Sequence, residues 1–75
     1  MEGISMERIP VTSTTMSSIG YDLGSRTLEI EFTGGAIYQY FEVPEEIYQG
    51  LLNAESKGQY FNLVFKPYGF EYQQL

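Results

Sequence analysis

The spacing of hydrophobic positions along the chain changes once, near its middle, and that change divides it into two kinds of structure. In "TLEIEF", Leu28, Ile30 and Phe32 alternate with Thr27, Glu29, Glu31 and Thr33, the two-residue period of a half-buried strand. Ahead of it, "MSSIGYD" reads as a short first strand, with Gly20 marking a bulge. "DLGSR" joins the two: Asp22 can bond forward to the backbone, and Gly24 tolerates positive φ. "TGG" then turns the chain and "AIYQYFEV" returns. Three strands in sequence order with short turns predict an antiparallel meander.

From Pro44 the period lengthens. Proline at a helix start sacrifices no hydrogen bond, and Glu45 and Glu46 in the first turn suit the helix dipole. Ile47, Tyr48, Leu51 and Leu52 form one apolar face, while Gly50 weakens the helix by about 1 kcal/mol relative to alanine. "SKGQ" reads as a capping box, Ser56 at the N-cap and Gln59 at N3. The second helix carries Tyr60, Phe61, Val64 and Phe65 on its apolar face, and Pro67 is expected to end it. The fold expected is α+β: a three-stranded antiparallel meander followed by two short helices packed on one face. Residues 1–10 are read as a flexible N-terminal tail, 11–70 as the single domain and 71–75 as a C-terminal tail, with Tyr68 and Phe70 folding back onto the body.

The hairpin around Gly34-Gly35 decides which way Tyr38 and Tyr40 face, because a one-residue slip flips every side chain. With a two-residue loop, Ile30 opposes Gln39 and both tyrosines share a face with Glu29 and Glu31. With a three-residue loop and a bulge at Gly35, Ile30 meets Tyr38 and Leu28 meets Tyr40. The first register buries Gln39, and an unsatisfied amide costs about 1–3 kcal/mol. Exchanging one aromatic cross-strand pair for another is worth only about 0.2–1 kcal/mol. The bulged register is therefore favoured. It turns the tyrosine rings under the helices and leaves only their hydroxyls for contact.

Composition narrows the chemistry. There is no cysteine and no histidine, so disulfides, the usual zinc, iron and copper ligands and the commonest general base are missing. A serine nucleophile lacks its activating base, and nothing places Lys57 or Lys66 beside a serine. Glu29 and Glu31, about 7 Å apart along one strand face, read as a solvated sheet face rather than an acid–base pair. Gly34-Gly35 lacks the rest of a phosphate-binding loop, and no acidic loop has calcium-site spacing. No catalytic residue, metal or cofactor is expected, nor a membrane span, and the chain reads as cytoplasmic. The net charge of −6 disfavours nucleic acid and lipid headgroups as partners.

The order of these pieces resembles the KTSC domain, a family named for its occurrence at the C-terminus of some lysyl-tRNA synthetases and also found as small standalone bacterial proteins. The likeness runs from about Val11 to Tyr68 through "IGYD", "TLEIEF", the central "YQY", "VP" and "AESKGQYFN". It implies a small α+β domain of uncharacterised function, for which RNA binding has been suggested and with which no catalytic residues come. Where relatives commonly carry basic residues near the last helix, this chain has "NLVFKPY", with Lys66 alone.

These readings converge on a non-catalytic interaction module with protein as the expected partner, and an RNA-binding accessory domain as the alternative. The candidate surface is the second helix and the segment after it: Lys57, Asn62, Lys66 and Tyr68, together with the hydroxyl ends of Tyr38 and Tyr40. Nothing in the pattern specifies an oligomeric state.

Overall fold

Five strands in sequence order make one antiparallel sheet in the computed structural model, which describes residues 6–75. They are β1 (Ile9–Pro10), β2 (Met16–Asp22), β3 (Thr27–Phe32), β4 (Ile37–Tyr40) and β5 (Tyr72–Gln74). The three-stranded meander forms as expected, but the sheet is wider by an edge strand on each side, both drawn from segments read as tails. Residues 1–5 of the expected N-terminal tail lie outside the described residues. Ile9 and Pro10 pair with Ile19 and Ser18, and Tyr72–Gln74 pair with β4 in continuous register. Two-residue and three-residue strands carry too little periodicity to announce themselves. They form because β2 and β4 would otherwise each expose a row of unpaired backbone groups.

The β3–β4 hairpin takes the bulged register. Ile30 lies opposite Tyr38 and Leu28 opposite Tyr40, while the Phe32 N–H donates to the Ala36 carbonyl at 2.8 Å. Gly34 and Gly35 take φ of 104° and 103°, which side-chain-bearing residues rarely adopt, so this loop depends on both glycines. The bulge expected at Gly20 is instead at Ser17, where the β2–β3 register shifts between Met16 and Ser18. Gly20 answers a different need: a Cβ there would stand 2.5 Å from the Glu7 carbonyl oxygen of the crossing N-terminal segment.

One face of the sheet carries the helical layer. Helix α1 (Glu45–Asn53) starts after Pro44, and α2 (Lys57–Tyr60) is capped by Ser56, whose Oγ accepts the Gln59 N–H at 3.2 Å. Beyond α2 the chain widens into a π-helical stretch, Phe61–Phe65, and tightens into a 3₁₀ turn, Lys66–Tyr68. Pro67 does not end the helical path; Gly69, left-handed at φ 70°, does. Met16, Ile19, Leu28, Ile30 and Tyr40 from the sheet side meet Val43, Ile47, Leu51 and Phe65 to form the core. Tyr21 pins the start of the helical layer, stacking on Tyr48 at 4.5 Å and donating from its hydroxyl to the Val43 carbonyl at 2.5 Å. Among the described residues, no helix is long and apolar enough to cross a membrane.

The other face is not the solvated surface that the strand pattern implied. Glu29 is 0% exposed, because the segment leading into β1 crosses over it. Its carboxylate pairs with the Arg8 guanidinium and accepts from the Met6 N–H (3.3 Å) and the Gln39 amide (2.8 Å). Arg8 Nε donates to Ser18 Oγ at 2.8 Å, which donates to Glu31 at 2.9 Å. Gln73 extends the chain of bonds by donating to Gln39 at 3.2 Å. A polar ladder thus runs across the sheet from the N-terminal segment to β5. Alternation correctly placed Glu29 away from the core, but it carried no information about what covers that face.

A buried carboxylate is tolerable only while paired. Arg8→Ala is therefore expected to lower unfolding free energy by about 3 kcal/mol in urea titrations, and adding Glu29→Gln to that variant should recover part of the loss. A loss within a few tenths of a kcal/mol would mean that the pair is immaterial. Gly50→Ala should also destabilise, against helix propensity, which favours alanine by about 1 kcal/mol. The added Cβ would overlap the Tyr60 hydroxyl, lie 2.7 Å from Cζ and disturb the bond from that hydroxyl to the Ile47 carbonyl at 3.2 Å. Overpacking of this kind costs about 1–3 kcal/mol, so the net change in the same titration should be a lowered midpoint.

Candidate functional site

The bulged hairpin sends Tyr38 and Tyr40 to the helix side of β4, and β5 adds Tyr72 directly opposite Tyr40. The helical layer supplies rings from above. Phe61 and Phe65, four apart in the π-helical stretch, stack at 5.1 Å and 18°, so both point down onto the sheet. Tyr40 sits edge-on to Phe65 at 4.9 Å and 86°, and Phe70 folds back against Phe65 at 5.0 Å. Tyr38 lies 5.8 Å from Phe32 and 5.6 Å from Tyr72. These are the edge-to-face and offset separations that aromatic quadrupoles favour, worth about 0.5–1.5 kcal/mol per pair beyond area burial.

The rings do not close completely. Between β4, β5 and the second helical segment lies a groove of about 410 Å³ lined by Phe32, Tyr38, Tyr40, Phe61, Phe65, Lys66, Gly69, Phe70 and Tyr72. Lys66 is its cation, with Nζ 6.0 Å from the centroid of Phe61. Burial first, then the neighbouring Tyr38 and Tyr72 phenols, push the Tyr40 hydroxyl up to about 12. Tyr40 therefore remains a neutral phenol at physiological pH, a hydrogen-bond donor and no base.

A second cleft of about 360 Å³ adjoins the groove around Gly69, walled by Phe41, Glu42, Tyr68, Gly69, Phe70 and Glu71. A larger concavity, about 680 Å³, is lined by residues from Met6 and Glu7 through β2 to Tyr48. Its polar groups are partly spent on one another, as in the Ser25 hydroxyl donating to Asp22 at 2.7 Å.

Of the residues singled out from the sequence, Tyr38, Tyr40 and Lys66 come together in the groove. Tyr68 stands beside it in the second cleft, stacked on Phe70 at 5.3 Å. Lys57 is elsewhere, donating to the Ala54 carbonyl at 3.2 Å near the end of α1. Asn62 is exposed and lines neither cleft. The walls that sequence reasoning missed are Phe32, Phe61, Phe65, Phe70 and Tyr72. The alternation of Phe70 and Tyr72 with Glu71 and Gln73 is too short to mark the last strand. The cations do not converge: Arg8 is on the outer face with Glu29, Arg26 is in the β2–β3 turn and Lys57 caps α1.

Comparison with known proteins places this geometry. The family model described as the KTSC domain matches residues 12–70. A crystal structure of a KTSC domain protein from Yersinia pestis superposes with a TM-score of 0.84 at 43% identity, covering 95% of this chain and 99% of that one. An uncharacterised protein of Stutzerimonas stutzeri is 44% identical over 70 residues, 93% of this chain and 99% of its own length. A lysine–tRNA ligase of Nostoc punctiforme is 40% identical over 62 residues, 83% of this chain but 11% of the ligase.

The raised Tyr40 pKa links stability to alkaline pH. A phenol that ionises at about 12 when folded and near 10.0 when unfolded contributes stability that is complete below pH 10 and lost as pH rises towards 12. Burial also raises Tyr21 and Tyr60, so both add loss in the same direction. Urea midpoints of the wild type and Tyr40→Phe, measured between pH 8 and about 11.5, should show the wild type falling more steeply. Parallel curves would contradict the burial of this hydroxyl.

Proposed function

The chain belongs to the KTSC domain family, and from that premise we propose that it is a non-catalytic interaction module whose groove takes an uncharged aromatic or apolar side chain of a protein partner. The observation that carries this reading is the lining of the groove, seven aromatic rings with one ammonium, on an open face between a sheet edge and a helix. Its polar groups suit binding rather than chemistry. Tyr40 stays protonated, and Lys66 already occupies the face of Phe61, so an incoming side chain meets ring surface and hydroxyl donors. Burying one large apolar side chain contributes about 1.5–3 kcal/mol, so the groove acts as an anchor within a wider contact.

A second reading is supported by the lysine–tRNA ligase relative, which contains a segment similar to this chain. On that reading the rings stack with bases, worth about 1–3 kcal/mol per base. Stacking platforms of this kind normally work beside a positive track for the phosphates. Here the four basic residues are dispersed and the net charge is −6, which supports protein as the partner.

The two readings separate by titrating ¹⁵N-labelled protein with N-acetyl-tryptophanamide and, separately, fluorescent tRNA at low salt. The expected result is saturable shifts confined to groove amides such as those of Phe61, Phe65 and Tyr72, with a dissociation constant of about 10 mM, equivalent to roughly 2.7 kcal/mol, and no saturable tRNA signal. Micromolar tRNA binding that weakens as salt rises, with no shifts from the tryptophan analogue, would replace this reading with the second.

A further inference from the structure

The groove and the second cleft share a wall. Gly69 and Phe70 line both, and the Phe70 ring packs on Phe65 at 5.0 Å and on Tyr68 at 5.3 Å. The two hollows are nonetheless opposite in electrostatic character. In the groove, Lys66 holds the cationic position over Phe61, which repels a second cation. The second cleft is lined by the aromatic residues Phe41, Tyr68 and Phe70 together with the acidic residues Glu42 and Glu71. Among the described residues neither carboxylate is engaged in an ion pair or a side-chain hydrogen bond.

Ring faces and carboxylates attract the same kind of ligand, a cation carried on an apolar stem. A phosphate would meet two negative charges there. At about 360 Å³ the cleft falls within the roughly 300–1,000 Å³ of pockets that enclose organic groups. The net charge of −6 also steers basic segments towards this chain and acidic ones away.

We propose that the two clefts together bind one extended segment of a protein partner, an uncharged aromatic or apolar residue entering the groove and a neighbouring lysine or arginine entering the cleft of Phe41, Glu42, Tyr68 and Glu71. This rests on the groove being a protein-binding site and adds the chemistry of what binds there. The shared Phe70 wall makes the two anchors contiguous, so one short segment spans both without a long linker. The basic anchor also gives the site its selectivity, since the ring-lined groove alone accepts many apolar side chains.

The experiment is selection of a phage-displayed random dodecapeptide library on the full-length immobilised protein, followed by titration of the enriched peptides. Enriched sequences are expected to pair an aromatic or large aliphatic residue with lysine or arginine a few positions away. Glu42→Gln combined with Glu71→Gln should weaken the best peptide about tenfold and flatten its salt dependence, while Tyr72→Ala should weaken it through the groove. Both glutamates are exposed, and an unchanged thermal midpoint of the double variant verifies that the fold is intact. Enriched apolar peptides without basic residues, or a double variant that binds as well as the wild type, would overturn the cationic cleft and leave the groove reading standing. Peptides indifferent to Tyr72→Ala, or no enrichment while tRNA binds, would overturn both.

Discussion

The arrangement of this molecule depends on the register of one hairpin. Thr33-Gly34-Gly35 adds a residue to the turn, and that residue decides that Tyr38 and Tyr40, rather than Gln39, face the helices. Everything on the helix side follows. Tyr40 becomes part of the core, 8% exposed, and gives Phe65 an edge-on surface on which to pack. Phe65 in turn supports Phe70, whose return brings β5 alongside β4 and Tyr72 opposite Tyr40. In the alternative register the same strand would offer Gln39 to the core, and the ring cluster would lose its floor.

The same register organises the outer face. With the tyrosines turned inward, Gln39 lies opposite Glu29 on the other side, where its amide donates to a carboxylate that is fully buried. A glutamate at the centre of a sheet is costly unless its charge is met, and here Arg8 meets it from a segment that contributes only two residues of strand. The short pairing of β1 contributes little on its own. It is the guanidinium, bonded to Glu29 and Ser18, that ties the N-terminal segment across the sheet. One face is thus held by aliphatic and aromatic packing and the other by a hydrogen-bonded charge network, and the hairpin assigns the β4 residues to each.

How far the sequence disclosed this follows from the range of the interactions involved. The central strands, both helix starts, the Ser56 cap and the hairpin register were legible because each depends on period, turn chemistry or the cost of burying one amide, all of which act over a few residues. The two edge strands were not legible, since Ile9–Pro10 and Tyr72–Gln74 are strands only by virtue of partners far away in the chain. Glu29 misled for the same reason: alternation gives the face of a side chain, not what lies over it. For the candidate site, Tyr38, Tyr40 and Lys66 were found, and Phe61 and Phe65 were placed on one apolar face with Phe70 folding back, but the π-helical widening over Phe61–Phe65 and the groove it leaves had no local signal. Lys57 drew attention as a charge, yet its ammonium meets a helix-end carbonyl, which is the ordinary fate of a lysine near such a terminus.

The division between the two faces also bears on which of them can evolve a partner. Substitutions on the outer face disturb Glu29 and its ring of donors, so that face is constrained by the need to keep a buried charge paired. The groove is constrained differently. Phe65 and Tyr40 are committed to the core, but Tyr72 at 61% and Tyr68 at 59% exposure leave much of their rings in water. Large rings left in water beside a hollow already lined with rings are costly to solubility in a chain whose charge otherwise keeps it dispersed. Of these two exposed rings, Tyr72 lines the groove from the edge strand and Tyr68 lines the adjoining cleft. The one cation lining that groove, Lys66, lies over a ring rather than in a line of basic residues.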